Sequence, residues 1–489
     1  MASRRGFRGR LTYNFVMRRN LFLLLTFSIL TILNGRYFRT KSFFGYVLIV
    51  FFVSAHGMVW AASDNSDTKP TWLPQILGAQ ATFIYQNAPS FHSPYSGEKS
   101  FIFDHSFKQQ MTQTYGLYLG SQVTKSLQLY ADFEMFRGSG ISDGLGLGGY
   151  SNGDVIRAGP ANLGPDPYLA RLYARYVIPL SAEMSEPLPR AMGQMPVAQP
   201  VDRIEIKAGK LAPTDDFDQN RYANNQRTQF LNYAFMFNTA WDYASDTRGY
   251  SIGASVAVVH PTWRLIFGSY QVPTQRNGII LDSEIYRARG DNAELTLAPW
   301  KAGPVIRLLA YRNEGRMGDY RDALALGTAT STVPNTVDVE KPGHVKYGFG
   351  INIEQPLAND GETGLFARAS WANGTNSPWS YTEVDSHASL GLQVSGRNWG
   401  RPEDYFGLGV AVNGITSSHQ HYLEQGGIGM LIGDGALNYG LEEIFEAYYR
   451  IQLGRFVQLS PDYQYIQNPG YNRDRGPIQV YSLRLRLSY

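Results

Sequence analysis

The sequence predicts an all-β protein, folded as a transmembrane antiparallel β-barrel of about 16 strands with long extracellular loops. Three observations lead to this class. Apolar and polar residues alternate with a period of two in many segments, which is typical of strands. Charged residues make up only 17% of the chain and aromatic residues 13%, and this charge is low for a water-soluble surface. After position 61 no apolar run approaches the length of a membrane-spanning helix.

Residues 1–61 are predicted to be a secretory leader, and residues 62–489 a single barrel domain. Two apolar runs, 21–33 and 43–60, each follow basic residues. The first run is too short to span a bilayer comfortably. Small or medium-sized residues at positions −3 and −1 of the cleavage site favour cleavage after Ala61, as in a signal peptide. Two alternatives stay open: a translation start upstream of the true one, and an uncleaved inner-membrane anchor.

Composition removes several function classes. The chain has no cysteine, which excludes disulfide scaffolds, thiol chemistry and cysteine zinc sites. Its formal net charge of +3 is too small to predict binding to nucleic acid, and much of the basic excess lies in the first 41 residues.

The alternating segments distinguish a membrane barrel from a soluble β-sandwich. The clearest of them, in chain order, are 127–135, 203–208, 347–353, 364–371, 389–395, 406–413, 445–453, 457–465 and 481–489. A soluble sheet also alternates, but its outer face should be rich in Lys and Glu, whereas the polar positions here are mainly Gly, Ser, Gln and Asn. These polar residues fit a water-lined interior, and aromatic residues at strand ends fit a wall that crosses the lipid interface.

Spacing between the segments predicts the connections and the size. Residues 138–167 are too rich in glycine for a strand and predict an extracellular loop, with folding into the lumen as an alternative. Residues 181–202 form another long connection, whereas 359–361 and 453–455 predict periplasmic turns. Strands of about 10 residues then give about 16 strands, and barrels of about 16 to 18 strands leave an aqueous channel. Residues 215–250 fit no element clearly.

The C-terminal part carries a family resemblance. Its residues are Gly400-Arg401-Pro402 before a glycine-alternating strand, Glu446 with Tyr448-Tyr449-Arg450, and Gln464-Tyr465-Ile466-Gln467-Asn468-Pro469-Gly470. With these motifs the chain resembles the carbohydrate-selective porins of the OprB type. The resemblance runs from about Gln75 to the end and is strongest over the last hundred residues.

This resemblance implies a sixteen-stranded barrel of the bacterial outer membrane that admits small sugars by passive diffusion. Its expected partners are those sugars, outer-membrane lipid and the barrel assembly machinery, and the barrel is expected to be a monomer or a homotrimer. The chain departs from the pattern in its final residue, Tyr489, where phenylalanine is commoner. The long 138–167 loop means that the glucose preference of some members is not carried over.

Candidate channel-lining residues follow from the alternation. It places six charged side chains on the face opposite the lipid row: Arg307, Arg368, Glu446, Arg450, Arg484 and Arg486. Planar, charge-assisted donors and acceptors suit sugar hydroxyls, and a transport site must also release its solute. The alternative is an electrostatic ladder on the wall, away from the narrowest point. Three tryptophans are predicted to be interface or loop aromatics: Trp371, Trp379 and Trp399.

No cofactor, metal site or catalytic residue is predicted. Asp216, Asp218 and Asn220 have the spacing of a calcium loop but lack its glycine and distal glutamate, so a loop-bound Ca²⁺ is the weaker alternative. His419 and His421 stand at strand spacing and could chelate a metal, but a turn explains them equally well. An enzyme is not expected, because the 8 histidines are dispersed and no nucleophile accompanies them.

Other transport functions also stay open. An exporter of acidic polysaccharide should have a more basic lumen than this chain, in which Asp132 and Glu134 also point inward. A general, non-selective porin is a further alternative, and a soluble sugar-binding β-protein is the last.

Overall fold

The computed structural model describes residues 73–102, 109–154, 164–300, 302–380 and 382–489. They belong to one compact unit, Pro70–Tyr489, and the predicted leader, 1–61, lies outside the described residues. Sixteen antiparallel strands of these residues close into a barrel, which confirms the predicted fold class. The strands are β1 Gln75–Asn87, β2 Gln109–Gln122, β3 Leu127–Gly138, β4 Tyr168–Pro179, β5 Arg203–Leu211, β6 Ser251–His260, β7 Trp263–Gln271, β8 Arg289–Leu297, β9 Val305–Met317, β10 Lys341–Ala358, β11 Thr363–Ala372, β12 Ser386–Ser395, β13 Tyr405–Gly414, β14 Glu442–Leu453, β15 Val457–Gln467 and β16 Ile478–Ser488.

The barrel closes between its first and last strands. β1 pairs with β16 in a register that runs from Gln80 opposite Ser488 to Asn87 opposite Tyr481. Every strand therefore has a neighbour on both sides. Closure satisfies the backbone N–H and C=O groups that lipid cannot hydrogen-bond.

The faces of the strands follow the predicted alternation. On β16, Tyr481 and Leu483 are 47% and 46% exposed on the outer surface, whereas Arg484 between its apolar neighbours is 1% exposed. Leucine can face lipid without a desolvation cost, but a guanidinium cannot, so this alternation fixes which face points inward.

The two ends of the barrel differ. The connections that follow odd-numbered strands are long and include 139–167, 212–250 and 415–441. We call the end of the barrel where they lie the long-loop end. At the opposite, short-turn end lie the predicted turns after β10 and β14. In the second of these turns Gly454 has a φ of +72°, a left-handed conformation that favours glycine.

One long connection lies at the short-turn end. The segment 180–202 joins β4 to β5, and its Met195 belongs to the same buried cluster as Leu77 and Tyr118. The Arg190 guanidinium lies 4.6 Å from the centre of the Tyr489 ring, and Arg190 Nη1 donates to the carbonyl of Ile76. This connection therefore packs against β1 and Tyr489 at the short-turn end of the barrel.

Two α-helices lie in long loops: α1 Tyr320–Thr330 and α2 Ser417–Glu424. Asp319 caps the first of them by accepting hydrogen bonds from the amides of Arg321 and Asp322. No helix among the described residues has the length and apolar character needed to cross a membrane. His419 and His421 lie on α2, so the strand spacing predicted for them is wrong, because a helical turn carries both residues.

Candidate channel site

The segment that the sequence left unassigned fills much of the barrel interior. Residues 212–250, here called the inner loop, connect β5 to β6 and are largely buried. Within the loop, the Phe230 ring lies 5.4 Å from that of Phe366 and 5.0 Å from that of Tyr448, two inward residues of β11 and β14. These aromatic contacts bury apolar surface inside the barrel and seat the loop against its wall.

Arg368 holds the inner loop by its backbone. Its Nη1 donates to the carbonyl of Phe235 at 2.9 Å, and its Nη2 donates to those of Ala223 at 2.7 Å and Asp218 at 3.2 Å. The guanidinium also pairs with the Asp218 carboxylate at 3.4 Å, and both side chains are almost completely buried. This predicted channel-lining residue thus binds protein groups on three sides.

Glu446 and Arg484 hold the next stretch of the loop. The Glu446 carboxylate accepts the amide N–H of Leu231 at 2.5 Å and that of Asn232 at 2.9 Å. Arg484 Nη1 donates to the carbonyls of Gln226 and Gln229 at 2.6 and 2.7 Å. Both side chains therefore satisfy backbone groups of a buried loop, which would otherwise be unpaired.

The other three predicted residues have fewer contacts with the loop. Arg450 Nη1 lies 3.5 Å from the carbonyl of Thr228. Arg486 Nη1 donates to side chains of the wall, and Arg307 pairs with Glu354. The structure places Arg450 on β14 and both Arg484 and Arg486 on β16, with β15 between the two strands, whereas Arg307 lies on β9.

Arg227, a basic residue of the inner loop, holds the loop against β2 and β3. Arg227 Nε donates to Asp154 at 2.7 Å, and its Nη1 donates to the hydroxyl of Tyr118 at 2.9 Å and to Glu134 at 3.2 Å. The carboxylates of Asp154 and Glu134 are 1% and 2% exposed. The inner loop is therefore anchored on β2 and β3 as well as on β11, β14 and β16.

Partly exposed charged groups line the remaining wall, from β3 to β7. Arg171 pairs with Asp132 at 3.3 Å and with Asp215 of the inner loop at 2.6 Å, and Asp216 pairs with Lys207 and Arg264. Their basic side chains are 17–24% exposed. The prediction did not select these residues. The alternation that placed Asp132 on the inner face also extends to β4, where Arg171 shares a face with Tyr173 and Arg175.

Comparisons with known proteins decide the family of this barrel. Residues 120–489 match the family model described as "Carbohydrate-selective porin, OprB family". The chain belongs to this family. The chain is 26% identical over 309 residues to "Putative porin QuiX" of Acinetobacter baylyi, and the match covers 58% of this chain and 66% of that relative.

The solved structures agree on the fold. The high-pH structure of Pseudomonas putida OprB is similar to this barrel with a TM-score of 0.64 at 15% identity, and the similarity covers 87% of this chain and 100% of that one. The family and the fold are those of channel proteins, and they locate this OprB-family protein in the bacterial outer membrane.

A second loop of this OprB-family barrel also enters its interior. The amide of Gly148 donates to Glu442 at 3.1 Å, the ring of Tyr150 lies 6.0 Å from that of Tyr233, and Gln464 Nε2 donates to the carbonyl of Ser151. Of the 138–167 loop, the described residues up to 154 therefore pack against the inner loop and the wall. Within that part, the loop folds inward, which was one of its two predicted forms.

A cavity of about 840 Å³ opens at the short-turn end. Its lining includes Glu362, Arg397, Tyr405, Arg450, Gln458 and Ser488. Two of these lining residues form an ion pair, with Arg397 Nε 2.9 Å from Glu362 Oε2. The cavity therefore brings Arg450 to the water-accessible mouth of the barrel.

The tryptophans lie where interface and loop aromatics were expected. Trp371, near the long-loop end of β11, is 46% exposed, and Trp399, at the short-turn end, is 44% exposed. Trp399 Nε1 donates to the hydroxyl of Tyr449 at 2.8 Å. Trp379 is 2% exposed within a loop.

The residues with calcium-loop spacing bind other partners. Asp216 and Asp218 pair with basic side chains, and the Asn220 side-chain oxygen accepts the amide of Tyr222. No group of three acidic or histidine side chains in the described part of the chain could hold a metal ion.

A buried polar cluster joins the long loops. His419 of α2 stacks on Tyr320 of α1 with the ring centres 4.3 Å apart, and its Nδ1 lies 3.3 Å from Asp385. Burial raises the pKa of the Asp385 carboxyl, but His419, Lys346 and the amide of Thr416 together lower it by more than burial raises it. The pKa therefore lies below its ordinary value.

This lowered pKa predicts acid sensitivity. The stabilisation by Asp385 is present above its pKa in the unfolded chain and is lost as the pH falls through its pKa in the folded protein. The melting temperature of the wild type should therefore exceed that of Asp385→Asn at neutral pH, and the difference should shrink in acid. Asp322→Asn is the matched control, because Asp322 is 49% exposed. Parallel pH profiles for Asp385→Asn and the wild type would contradict this account.

Proposed function

We propose that this chain forms a water-filled channel through which small sugars diffuse passively, with a preference for carbohydrates. Family membership supports the proposal. The observation that carries it is the inner loop, which lies inside the barrel and leaves partly exposed ion pairs on the wall from β3 to β7. No catalytic step is part of the proposal.

The ion pairs suit a neutral, hydroxylated solute. Arg171 offers only donors, whereas its partner Asp215, whose side chain is 34% exposed, offers acceptors. A sugar hydroxyl both donates and accepts, so a wall that carries both kinds of group can replace its hydration. Each contact is shared with an existing ion pair, which keeps binding weak enough for release.

The six residues chosen from the sequence act on this channel in two ways in our proposal. Arg368, Glu446 and Arg484 hold the inner loop in place and so define the width of the channel. Arg307, Arg450 and Arg486 contact the solute near the short-turn end. An exporter of acidic polysaccharide is less well supported, because the basic side chains on the wall from β4 to β7 are neutralised by carboxylates.

Reconstitution tests the proposal. We expect single channels in planar bilayers, and we expect glucose and maltose to reduce the ionic current more than an uncharged peptide of similar mass does. Liposome swelling should be faster in glucose than in that peptide. Absence of channels would exclude the function. Channels that treat sugars and the peptide alike would indicate a general porin.

A further inference from the structure

The inward basic side chains of the strands divide into two groups. Eight form ion pairs with acidic side chains: Arg171, Arg175, Arg203, Lys207, Arg264, Arg307, Lys346 and Arg368. Among the described residues, Arg450, Arg484 and Arg486 have no such partner. We call these three the arginine row. They lie on β14 and β16, so the inward positive charge of the strands that lacks an ion pair is concentrated on one side of the barrel.

Arg450 and Arg486 connect the arginine row to the cavity at the short-turn end. Arg450 lines this cavity, and its guanidinium lies 4.3 Å from the centre of the Tyr405 ring. Arg486 Nη1 donates to Gln458 at 3.3 Å and to Ser488 at 3.1 Å, and both of these partners line the same cavity. A solute in the cavity is therefore next to Arg450 and one contact away from Arg486.

Several nitrogen atoms of the row are buried and have no acceptor in the protein: Nε of Arg450, Nε and Nη2 of Arg484, and Nε of Arg486. Arg484 and Arg486 are only 1% and 8% exposed. An unsatisfied buried donor is costly, and more so when it is charged. The nearby carboxylates do not accept these N–H groups: Glu446 binds two loop amides, and Asp462 attracts the charge of Arg484 from beyond ion-pair distance.

We propose that the arginine row is a subsite for the carboxylate of a small hydroxy acid, such as a sugar acid, that passes through this channel. The proposal rests on the proposed function as a channel and specifies one class of its solutes. A carboxylate only accepts hydrogen bonds and a guanidinium only donates them, so the two match. Planar guanidinium groups also fit a carboxylate through paired N–H donors.

The test compares gluconate with glucose, which have similar size and differ in charge. In planar bilayers with a gradient of potassium gluconate, the reversal potential gives the permeability of gluconate relative to potassium, and liposome swelling gives the entry rate of glucose. We expect Arg486→Gln to lower the relative permeability of gluconate about threefold or more, because it removes one charge close to the solute. Its effect on glucose entry should be smaller. Arg486→Lys, which keeps the charge, should recover part of the loss.

Arg203→Gln is the matched control. It removes one inward charge near the short-turn end, but from an ion pair with Glu205, which also binds Arg175, and it should leave the gluconate permeability close to that of the wild type. If Arg486→Gln does not fold, Arg450→Gln makes the same comparison. Equal gluconate permeability in the wild type and the row variants, with glucose still entering, would overturn only this inference. Absence of any channel would overturn the proposed function and the inference with it.

Discussion

Replacing Arg368 with alanine is expected to destabilise the folded protein by about 3–5 kcal/mol, the usual cost of removing one partner of a buried ion pair. The change leaves the Asp218 carboxylate, which is 1% exposed, without its cation. It also leaves the carbonyls of Ala223 and Phe235 without their donor. The free energy of unfolding, measured in denaturant with the barrel in lipid or detergent, checks the magnitude.

The same variant should change the channel. Once its backbone is released from β11, the inner loop can move away from the wall, so the single-channel current should be larger and noisier than that of the wild type. Arg312→Ala is the matched control. Arg312 pairs with Glu314 but is 44% exposed, and its loss should cost no more than about 1 kcal/mol.

A double variant separates the charge from the packing. Asp218→Asn combined with Arg368→Met removes both charges together, and replacement of a whole buried pair by neutral groups is often far less harmful than the loss of one partner. The double variant should therefore be more stable than Arg368→Ala. If the two are equally unstable, the hydrogen bonds to the loop carbonyls, and not the ion pair, hold the loop.

The wall of the barrel could be predicted from the sequence because its signal is local. In β16 each residue faces opposite to the next one, so Leu483 outside and Arg484 inside follow from period two alone. The number of strands followed from the same pattern. The inward direction of all six candidate residues followed from it too, since a charged side chain between two lipid-facing neighbours must point to the interior.

The inner loop could not be predicted because the contacts that anchor it on β11, β14 and β16 are distant along the chain. Asp218 meets Arg368 across 150 positions, Leu231 meets Glu446 across 215, and Gln226 meets Arg484 across 258. Its aromatic residues have no strand or helix period, since they pack inside a barrel and not along one face of an element. For the same reason, the sequence could assign charged residues to the interior but could not divide them into loop anchors and solute contacts.

Replacing Arg227 with alanine should release the inner loop from β2 and β3 and make the channel more selective for cations. Arg227 is the only ion-pair partner of Asp154 among the described residues, and it shares Glu134 with hydroxyl donors. Without it, two buried carboxylates lose their cation, at a cost of about 3–5 kcal/mol. The exposed negative charge should attract potassium once water enters. Reversal potentials in a gradient of potassium chloride, together with single-channel conductance, measure both effects.

Arg221→Ala is the control within the same loop. Arg221 is exposed, and among the described residues its Nη2 donates only to the carbonyl of Asp360, at 3.3 Å. Its removal therefore changes the charge of the loop by the same amount without breaking a buried ion pair. We expect Arg221→Ala to retain the conductance of the wild type. An equal rise in conductance in both variants would attribute the effect to charge alone. Wild-type conductance and selectivity in Arg227→Ala would show that the loop keeps its position without this anchor, because the contacts of Arg368, Glu446 and Arg484 on β11, β14 and β16 are then sufficient.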